Sequence, residues 1–283
     1  MRLRHATHSS RLVTALIAAV LATACASVPR RTASVPLRVM TYNIRSGNGN
    51  LDGTAAAIRA SAPDVVALQE VDVHWAERSN FVDEASALGG KLGMQVRFAH
   101  IYHFPGASDS APAREFGVAL LSRYPIVHFV DDTLTRLSTQ VTDPVPTPMP
   151  GLLDAVIDVH GTRVHVFNTH LDYRKDPRVR EQQVAEMLRY IDASTGPTLV
   201  FGDMNASPDA EEIQPLLHRL RDAWAAVHGA DAGFTYPADA PRERIDYVLV
   251  SPQLHVRAAR VPDTLASDHR PVVVDLDLDA GGM

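Results

Sequence analysis

Eight short segments of this chain have the composition of β-strands, and most of them end in a polar side chain. Each segment is rich in Val, Leu and Ile and is bounded by Gly, Pro, Asn or Asp, which is typical of strands. They cover residues 37–44, 65–71, 117–122, 152–159, 163–171, 198–201, 245–250 and 272–278. The apolar period of four other segments predicts amphipathic helices at residues 51–60, 81–92, 176–191 and 209–220.

The segments between these strands predict turns rather than a second domain. His160-Gly161 predicts a tight hairpin, and residues 139–151, which contain four prolines, predict a loop. With 46% hydrophobic and 21% charged residues, the chain has the composition of a protein with a folded core. No linker interrupts residues 37–279, so we expect one β-sandwich domain there.

The polar residues at the strand ends share a chemical character. They are carboxylates, carboxamides and two histidines: Asn43, Gln69, Glu70, Asn168, His170, Asp172, Asp203, Asn205, Asp246, Asp268 and His269. Side chains two residues apart on a strand lie on the same face, so Asn168 and His170 share a face. A cluster forms if the strand ends meet, which the spacing alone leaves open.

Such a cluster has the chemistry needed to hydrolyse a phosphate ester. A divalent cation on hard oxygen ligands offsets the negative charge of the ester, and Asp, Glu and Asn favour Mg²⁺ or Mn²⁺. A carboxylate can deprotonate a water molecule, and an imidazolium or a carboxamide can stabilise the developing charge. Each residue alone also has a structural interpretation. Asn43 and Asn205 are typical turn caps, Glu70 and Asp246 could form ion pairs, and His165 alternates with packed strand residues.

The first 36 residues predict an export signal and a tether. Residues 1–11 carry three arginines and no acid, and residues 12–24 are apolar or small, so residues 1–24 resemble a secretory signal peptide. Residues 25–36 are rich in Ser, Thr, Pro and Arg and predict a tether. We therefore expect an exported protein that is periplasmic or membrane-anchored, with ordinary secretion as the alternative.

The only cysteine stands directly after the apolar run. Leu21-Ala22-Thr23-Ala24-Cys25 resembles a bacterial lipobox with Ala22 in place of the preferred leucine, so Cys25 is predicted to carry lipid and attach the protein to a membrane. Cleavage by the ordinary signal peptidase at Ala24-Cys25-Ala26 remains open. A single cysteine excludes an intramolecular disulfide.

The net charge argues against global attraction to a polyanion. Loss of residues 1–24 removes three arginines and leaves 24 basic and 33 acidic side chains, a net charge of −9. Phosphate contacts supply most non-specific affinity for nucleic acid, so this field disfavours tight DNA binding. A negative net charge does not exclude a local basic patch.

The order of the polar motifs resembles the endonuclease/exonuclease/phosphatase superfamily. The segments that carry the resemblance run in family order and are Thr41-Tyr42-Asn43-Ile44, Leu68-Gln69-Glu70-Val71, Leu120-Leu121-Ser122-Arg123-Tyr124-Pro125, Asn168-Thr169-His170-Leu171, Gly202-Asp203-Met204-Asn205, Arg244-Ile245-Asp246-Tyr247 and Ser267-Asp268-His269-Arg270-Pro271. The resemblance implies an α+β fold. Its four-layer α/β/β/α sandwich has two mostly antiparallel sheets flanked by helices.

The resemblance also implies roles for individual residues. It implies a metal site of Asn43, Glu70 and Asp268; catalytic roles for His170, Asp203, Asn205, Asp246 and His269; and substrate binding by Asn168. Arg114, which precedes a strand beside Glu115, is a further candidate for substrate binding, although a solvated turn explains it equally well.

These roles lead to an expected function and to its alternatives. We expect a monomeric, exported, Mg²⁺- or Mn²⁺-dependent hydrolase of phosphate esters, with a phosphodiester in nucleic acid or in a phospholipid head group as the substrate. The alternatives are a phosphomonoesterase and a non-catalytic binding module that keeps the fold. Retention of the full set of catalytic side chains argues against the binding module.

Overall fold

The computed structural model describes residues 34–279, which lie in one compact unit. The strands in this range are β1 (Ser34–Asn43), β2 (Val65–Val73), β3 (Gln95–Phe104), β4 (Arg114–Ser122), β5 (Ile126–Arg136), β6 (Thr147–Val159), β7 (Thr162–His170), β8 (Thr198–Asp203), β9 (Arg221–Asp222), β10 (Asp246–Val250), β11 (Leu254–Arg260) and β12 (Val272–Asp279). The α-helices are α1 (Leu51–Ser61), α2 (Glu84–Leu92), α3 (Arg178–Ala193), α4 (Gln214–Arg219) and α5 (Ala223–His228).

Within residues 34–279 the strands form two sheets of six. Sheet A has the order β11-β12-β1-β2-β4-β3, and sheet B has the order β5-β6-β7-β8-β10-β9. The described neighbours are antiparallel except for β1–β2 in sheet A and β7–β8 in sheet B. The prediction of two mostly antiparallel sheets in an α+β sandwich is therefore confirmed.

Alternation along the strands explains the four layers. Val39, Leu120, Val166 and Phe201 belong to one apolar core, to which both sheets contribute their inner faces. The outer face of sheet A packs with α1 and α2, and the outer face of sheet B packs with α3 and α4. Helices therefore cover each sheet on the side away from the central core.

The helices begin where the sequence supplies caps. The side chain of Asn50 accepts a hydrogen bond from the backbone N–H of Gly53 at the start of α1, and that of Asp83 accepts one from Ser86 at the start of α2. The helix predicted at residues 81–92 therefore begins later, at Glu84. The segment predicted at 209–220 divides into a 3-10 helix at Glu211–Ile213 and α4.

The strands that the composition did not predict are the edges of the two sheets. They are β3 and β11 in sheet A and β5 and β9 in sheet B. Edge strands are half exposed and carry polar residues, so their apolar signal is weak. The exposed residues of β3, for example, include His103, and those of β5 include His128.

Two predicted boundaries were wrong. The loop predicted at 139–151 ends early, because Thr147 to Gly151 already belong to β6, and Thr147 to Pro150 pair with β5. These residues have no partner in β7, whose described pairing with β6 begins at Leu153, so prolines are tolerated in this stretch. The predicted tether also ends early, since Ser34 pairs with Asp279 and starts β1.

The predicted signal peptide and Cys25 lie outside the described residues. Among the residues that are described, no helix is both long enough and apolar enough to cross a membrane.

Candidate active site

Strand register brings three of the predicted site residues to one level of sheet B. The parallel pairing of β7 with β8 sets His170 beside Asp203, and the antiparallel pairing of β8 with β10 sets Asp246 beside Asp203. Paired residues on neighbouring strands point to the same face. The convergence that the spacing left open is thus present in the structure.

A buried layer of amides lies between this level and the apolar core. The Nε2 of Gln69 donates hydrogen bonds to the Oδ1 of Asn168 (2.7 Å) and to the Oγ1 of Thr41 (3.0 Å). The Nδ2 of Asn168 donates to the carbonyls of Leu68 (2.9 Å) and Ala119 (3.0 Å). The bonds of Asn168 connect sheet B to sheet A next to the cluster.

The contacts of Asn168 in this structure are with the protein, and the substrate-binding role predicted for it stays a prediction. Asn168 is fully buried, and both polar atoms of its side chain bond to the protein. A buried amide whose donor and acceptor are both bonded is typical of a group that holds its neighbours in place. These contacts therefore favour a positioning role for Asn168 in the strands that carry the site.

The Asp203 carboxylate lies at the centre of the cluster. Its Oδ2 accepts a hydrogen bond from the Nδ2 of Asn43 at 3.0 Å, and it lies 3.5 Å from the Nε2 of His170 and 3.6 Å from the Nε2 of His269. Its Oδ1 accepts from the backbone N–H of Asn205 at 2.9 Å. Asp203 is 1% exposed, so the two imidazoles and the amides, and not solvent, surround its carboxylate.

His269 and Asp246, which the resemblance implied as catalytic residues, form a buried pair. The Nδ1 of His269 lies 2.9 Å from the Oδ2 of Asp246, and both side chains are buried. Burial alone lowers the pKa of His269, but the carboxylates of Asp246 and Asp203 outweigh it and raise that pKa to about 10. His269 is therefore an imidazolium at neutral pH, with one N–H directed at Asp246 and the other towards Asp203.

Glu70 reaches the site because the backbone of β2 is irregular. The pairing of β2 with β4 shifts register between Leu68 and Val71, and Glu70 has a φ of 54°. A non-glycine residue in this region is strained, and such strain concentrates at functional sites. The bulge directs Glu70 to the Nδ2 of Asn43, which donates to its Oε1 at 3.0 Å.

Asn205 and Asp268 lie at the margin of the cluster. Asn205 has a φ of 48°, and its Nδ2 donates to the carbonyl of Leu171 at 3.0 Å. Asp268 is partly exposed, and its Oδ2 lies 3.4 Å from the Nε of Arg45. The roles predicted for Asn205 and Asp268 stay predictions.

Arg114 has contacts that do not involve this cluster. Its Nε donates to the carbonyl of Pro105 at 3.4 Å, and its guanidinium lies 6.0 Å from the centre of the Phe104 ring. Arg114 is exposed at the start of β4. Substrate binding by Arg114 stays a prediction.

Two sets of residues have to be weighed as the metal site. Among residues 34–279, the ligand atoms of Asp203, Asp246 and His269 lie within 4.8 Å of one another. The Nδ1 of His269 already bonds to the Oδ2 of Asp246, which favours an acid–base pair over a pair of metal ligands for these two side chains. The predicted set around Glu70 offers the hard oxygens that Mg²⁺ prefers, so its donor chemistry fits such an ion, and Glu70 and Asn43 are in contact within it.

Sequence reasoning missed Arg136, which lies under the site at the end of β5. Its guanidinium is buried and donates to the carbonyls of Pro150 (3.0 Å), His170 (2.8 Å) and Gly151 (2.9 Å). Burial lowers its pKa to about 10, which still leaves it charged at neutral pH. No motif surrounds Arg136 in the sequence, and its strand was itself not predicted.

His165 lies elsewhere, as its alternation with apolar residues predicted. It faces the outer side of sheet B and lines a cavity with His128, Asp154 and residues of α3. Desolvation lowers its pKa.

Comparison with known proteins relates the chain to one family. A sequence model described as the Endonuclease/Exonuclease/phosphatase family matches residues 40–269. The uncharacterized protein YbhP of Escherichia coli K12 is 26% identical over 279 residues, which is 89% of this chain and 100% of YbhP. A phospholipase C of Staphylococcus aureus is 23% identical over 165 residues, which is 51% of this chain and 48% of that protein.

A solved structure has a similar fold over most of the chain. It is the endonuclease/exonuclease/phosphatase from Beutenbergia cavernae DSM 12333, which is 28% identical with a TM-score of 0.69. The similarity covers 86% of this chain and 72% of that one.

Proposed function

The chain belongs to the Endonuclease/Exonuclease/phosphatase family, and from this premise we propose that it is a divalent-metal-dependent phosphodiesterase. Family membership supports the broader activity, hydrolysis of phosphate esters. One observation carries the proposal: the buried Asp203 carboxylate lies between two imidazoles, 3.5 Å and 3.6 Å away, at the edge where the strands end. Such a carboxylate can accept a proton beside groups that can bind an anion.

Glu70 would hold the metal, together with Asn43 and Asp268. When bound, Mg²⁺ or Mn²⁺ supplies charge neutralisation and polarisation of the phosphate. In the observed orientation, the Nδ2 of Asn43 donates hydrogen bonds to both Glu70 and Asp203. Asn43 therefore fixes the positions of these two carboxylates relative to each other. A ligand role for Asn43 needs its Oδ1, which accepts from the backbone N–H of Arg45 at 3.0 Å.

The remaining roles belong to side chains of the cluster. Asp203 accepts a proton from the attacking water, and Asn43 and Asn205 hold it in place through its two oxygens. His269, charged and fixed by Asp246, stabilises negative charge on the phosphate. His170 contacts another phosphate oxygen, and Arg136 fixes its backbone carbonyl.

A diester fits this site better than a monoester. The carboxylates of Glu70, Asp203, Asp246 and Asp268 repel anions, and a diester carries one negative charge where a monoester at neutral pH carries nearly two. His170 also belongs to a motif that resembles the diesterase branches of the family. The phospholipase C relative is named for action on phospholipid, which supports the same class.

Between nucleic acid and phospholipid as substrates, the negative net charge of the chain favours phospholipid. The chain has a net charge of −6, and 17 aromatic residues in all leave few for stacking on single strands. The second candidate, a phosphomonoesterase, rests on the same cluster and differs in the charge of its substrate.

The proposal is tested with a substrate panel under one metal condition. Purified protein is incubated with plasmid DNA, phospholipid vesicles and sugar or cyclitol monophosphates in Mg²⁺, in Mn²⁺ and in EDTA. Metal-dependent cleavage of a diester, faster than that of any monoester, supports the proposal. Phosphate release from monoesters with every diester intact would establish the phosphatase instead. If exhaustive chelation leaves turnover unaffected, the activity does not require a metal.

We also propose that the protein is exported and attached to a membrane through a lipidated Cys25. The arginines and the apolar run at residues 1–24, followed by the only cysteine, support this. Mass spectrometry of the native N-terminus tests it: a lipidated Cys25 is expected, and Cys25→Ser should release soluble protein. An unmodified N-terminus at Ser27 would establish ordinary secretion.

A further inference from the structure

A cavity of about 210 Å³ opens directly on two residues of the proposed site. Glu70 and His170 form part of its wall. The cavity extends away from them between the end of β3 and the chain that follows β7, where Leu171 and Tyr173 line it. A group that fills this cavity is therefore adjacent to the phosphate.

One side of the cavity is aromatic and firmly held. Tyr102 and Phe116 line it, and their ring centres are 6.1 Å apart with planes 26° apart. Trp75 stacks behind Tyr102 at 5.9 Å. The hydroxyl of Tyr102 accepts from the backbone N–H of Thr139 at 2.8 Å, which fixes the loop that closes this side. Aromatic faces of this kind pack against the apolar faces of a ring.

Other residues that line the cavity carry hydrogen-bond donors. Gln183 lines the cavity and is 0% exposed, and its Oε1 accepts from the backbone N–H of Asp172 at 2.9 Å. Its Nε2 has no partner among residues 34–279. A buried donor without a partner is costly, so an acceptor that reached this Nε2 from the cavity would remove that cost.

Two guanidiniums add to this donor character. Arg174 lines the cavity, forms an ion pair with Asp172 and lies 5.1 Å from the centre of the Tyr173 ring. Arg136 also lines the cavity, and its own hydrogen-bond acceptors there are neutral carbonyls and a hydroxyl. Its charge therefore favours oxygen-rich, electron-rich groups nearby.

We propose that this cavity binds the alcohol part of the phosphodiester and that this alcohol is a single hydroxylated ring, a hexose or a cyclitol. The apolar faces of such a ring pack on Tyr102, Phe116 and Tyr173, and its hydroxyl oxygens accept hydrogen bonds from Gln183 and Arg174. This inference rests on the proposed function and names the substrate class for that site.

The size of the cavity favours one ring over a nucleoside. Pockets for drug-sized ligands have volumes of roughly 300–1,000 Å³, so a cavity of about 210 Å³ encloses a smaller group within its walls. A nucleoside joins a base to a sugar and is larger than a single ring. The hydroxyls of a polyol also use donors on several sides, whereas a base presents donors and acceptors along its edges only.

The experiment compares methyl phosphodiesters that differ in their second alcohol. The alcohols are ethanol, cyclohexanol, myo-inositol, glucose through its O6 and thymidine through its 5′ oxygen, and hydrolysis is followed by phosphorus NMR with Mg²⁺. We expect kcat/KM for a hydroxylated ring to exceed that for cyclohexanol by about tenfold or more, because each lost hydrogen bond costs up to about tenfold. An inositol phospholipid in vesicles is a further substrate. Its rate of hydrolysis relative to that of the soluble inositol diester shows whether the protein acts on the ring in a membrane lipid or in a soluble molecule.

The variants separate the cavity from the reaction. Gln183→Met removes the free donor, and Tyr173→Ala removes an aromatic face that is 63% exposed and contributes little to folding. Each should reduce the ratio of kcat/KM for the inositol and cyclohexanol diesters at least threefold. Gln182→Met, at the exposed neighbouring position of α3, is the matched control and should keep the wild-type ratio. Equal ratios in all four proteins, or a preference for the thymidine diester that the same variants abolish, would overturn the proposal.

A binding measurement distinguishes this inference from the proposed function. If no diester is hydrolysed, the proposed function fails, and the cavity is then judged by the rise in melting temperature that myo-inositol 1-phosphate causes in the presence of Mg²⁺. A rise in the wild type that Gln183→Met reduces and Gln182→Met does not supports the cavity. The same rise in all three proteins, or none in the wild type, refutes it.

Discussion

Asn168→Leu tests whether the amide beneath the cluster positions the strands or meets the substrate. Leucine has the same number and branching of side-chain heavy atoms, so the change removes the polar contacts while keeping the shape of the side chain at a somewhat larger volume. The Nδ2 of Asn168 bonds to the carbonyls of Leu68 and Ala119, and its Oδ1 bonds to Gln69, which keeps a second contact to Thr41. The variant therefore leaves two buried carbonyls without these donors.

The structure gives the expected magnitude. A buried polar group left without a partner costs about 1–3 kcal/mol, so two carbonyls cost about 2–6 kcal/mol of the free energy of unfolding. For a domain of this size each kcal/mol lowers Tm by about 2–4 °C. We expect Asn168→Leu to lower Tm by roughly 5–20 °C, with any loss of activity following from displacement of the strand ends.

The assay combines thermal and urea unfolding, each followed by circular dichroism, with steady-state kinetics on the same preparations. The denaturant slope shows whether the compactness of either state has changed. Gln182→Leu replaces an exposed amide of α3 and should stay within about 0.5 kcal/mol of the wild type. A Tm within about 2 °C of the wild type together with a large rise in KM would refute the positioning role and restore direct substrate contact.

Three further outcomes are expected. Exhaustive EDTA treatment should abolish turnover, and Glu70→Gln should raise the Mg²⁺ concentration needed for half-maximal rate; an unchanged metal titration would contradict this. Asp203→Ala and His269→Ala should each lower kcat by roughly 10²- to 10⁴-fold with nearly normal melting curves, whereas His165→Ala should keep substantial activity. Burial raises the pKa of Glu84 to about 8, so the wild type should lose up to about 5 kcal/mol of stability as pH rises from about 4.5 to 8. In urea unfolding measured across this pH range, Glu84→Gln should weaken the dependence of stability on pH. A plot of stability against pH that runs parallel to that of the wild type would refute the assignment of this dependence to Glu84.

The central strands were predictable because a local pattern reports their burial. Strands such as β1 and β8 are buried along most of their length and have the continuous apolar composition that this requires. The edge strands β3 and β5 alternate buried and exposed residues irregularly, with bulges near His100 and His128. A sheet edge is defined by which strands pair, and no local composition records that choice.

The polar cluster was predictable in its members and less so in their roles. The apolar strands and the order of their polar ends indicated Asn43, Glu70, His170 and Asp203 before any contact was known. Asn168 stands at an equally prominent position of its motif, but the donor and the acceptor of its side chain both bond to other groups of the protein. Whether an amide at a strand end is free or bonded depends on what the opposite sheet presents to it.

The sequence by itself determined which side chains can share a face, because alternation along a strand is a property of the local backbone. Tertiary structure decided which strands lie side by side, and so placed Asp203 between His170 and Asp246, which are far apart along the chain. It also produced the bulge that directs Glu70 into the site, since a shift in register exists only between two paired strands. The physical reason is that strand pairing and burial are non-local, so their effects on charge and hydrogen bonding arise only when the two sheets meet.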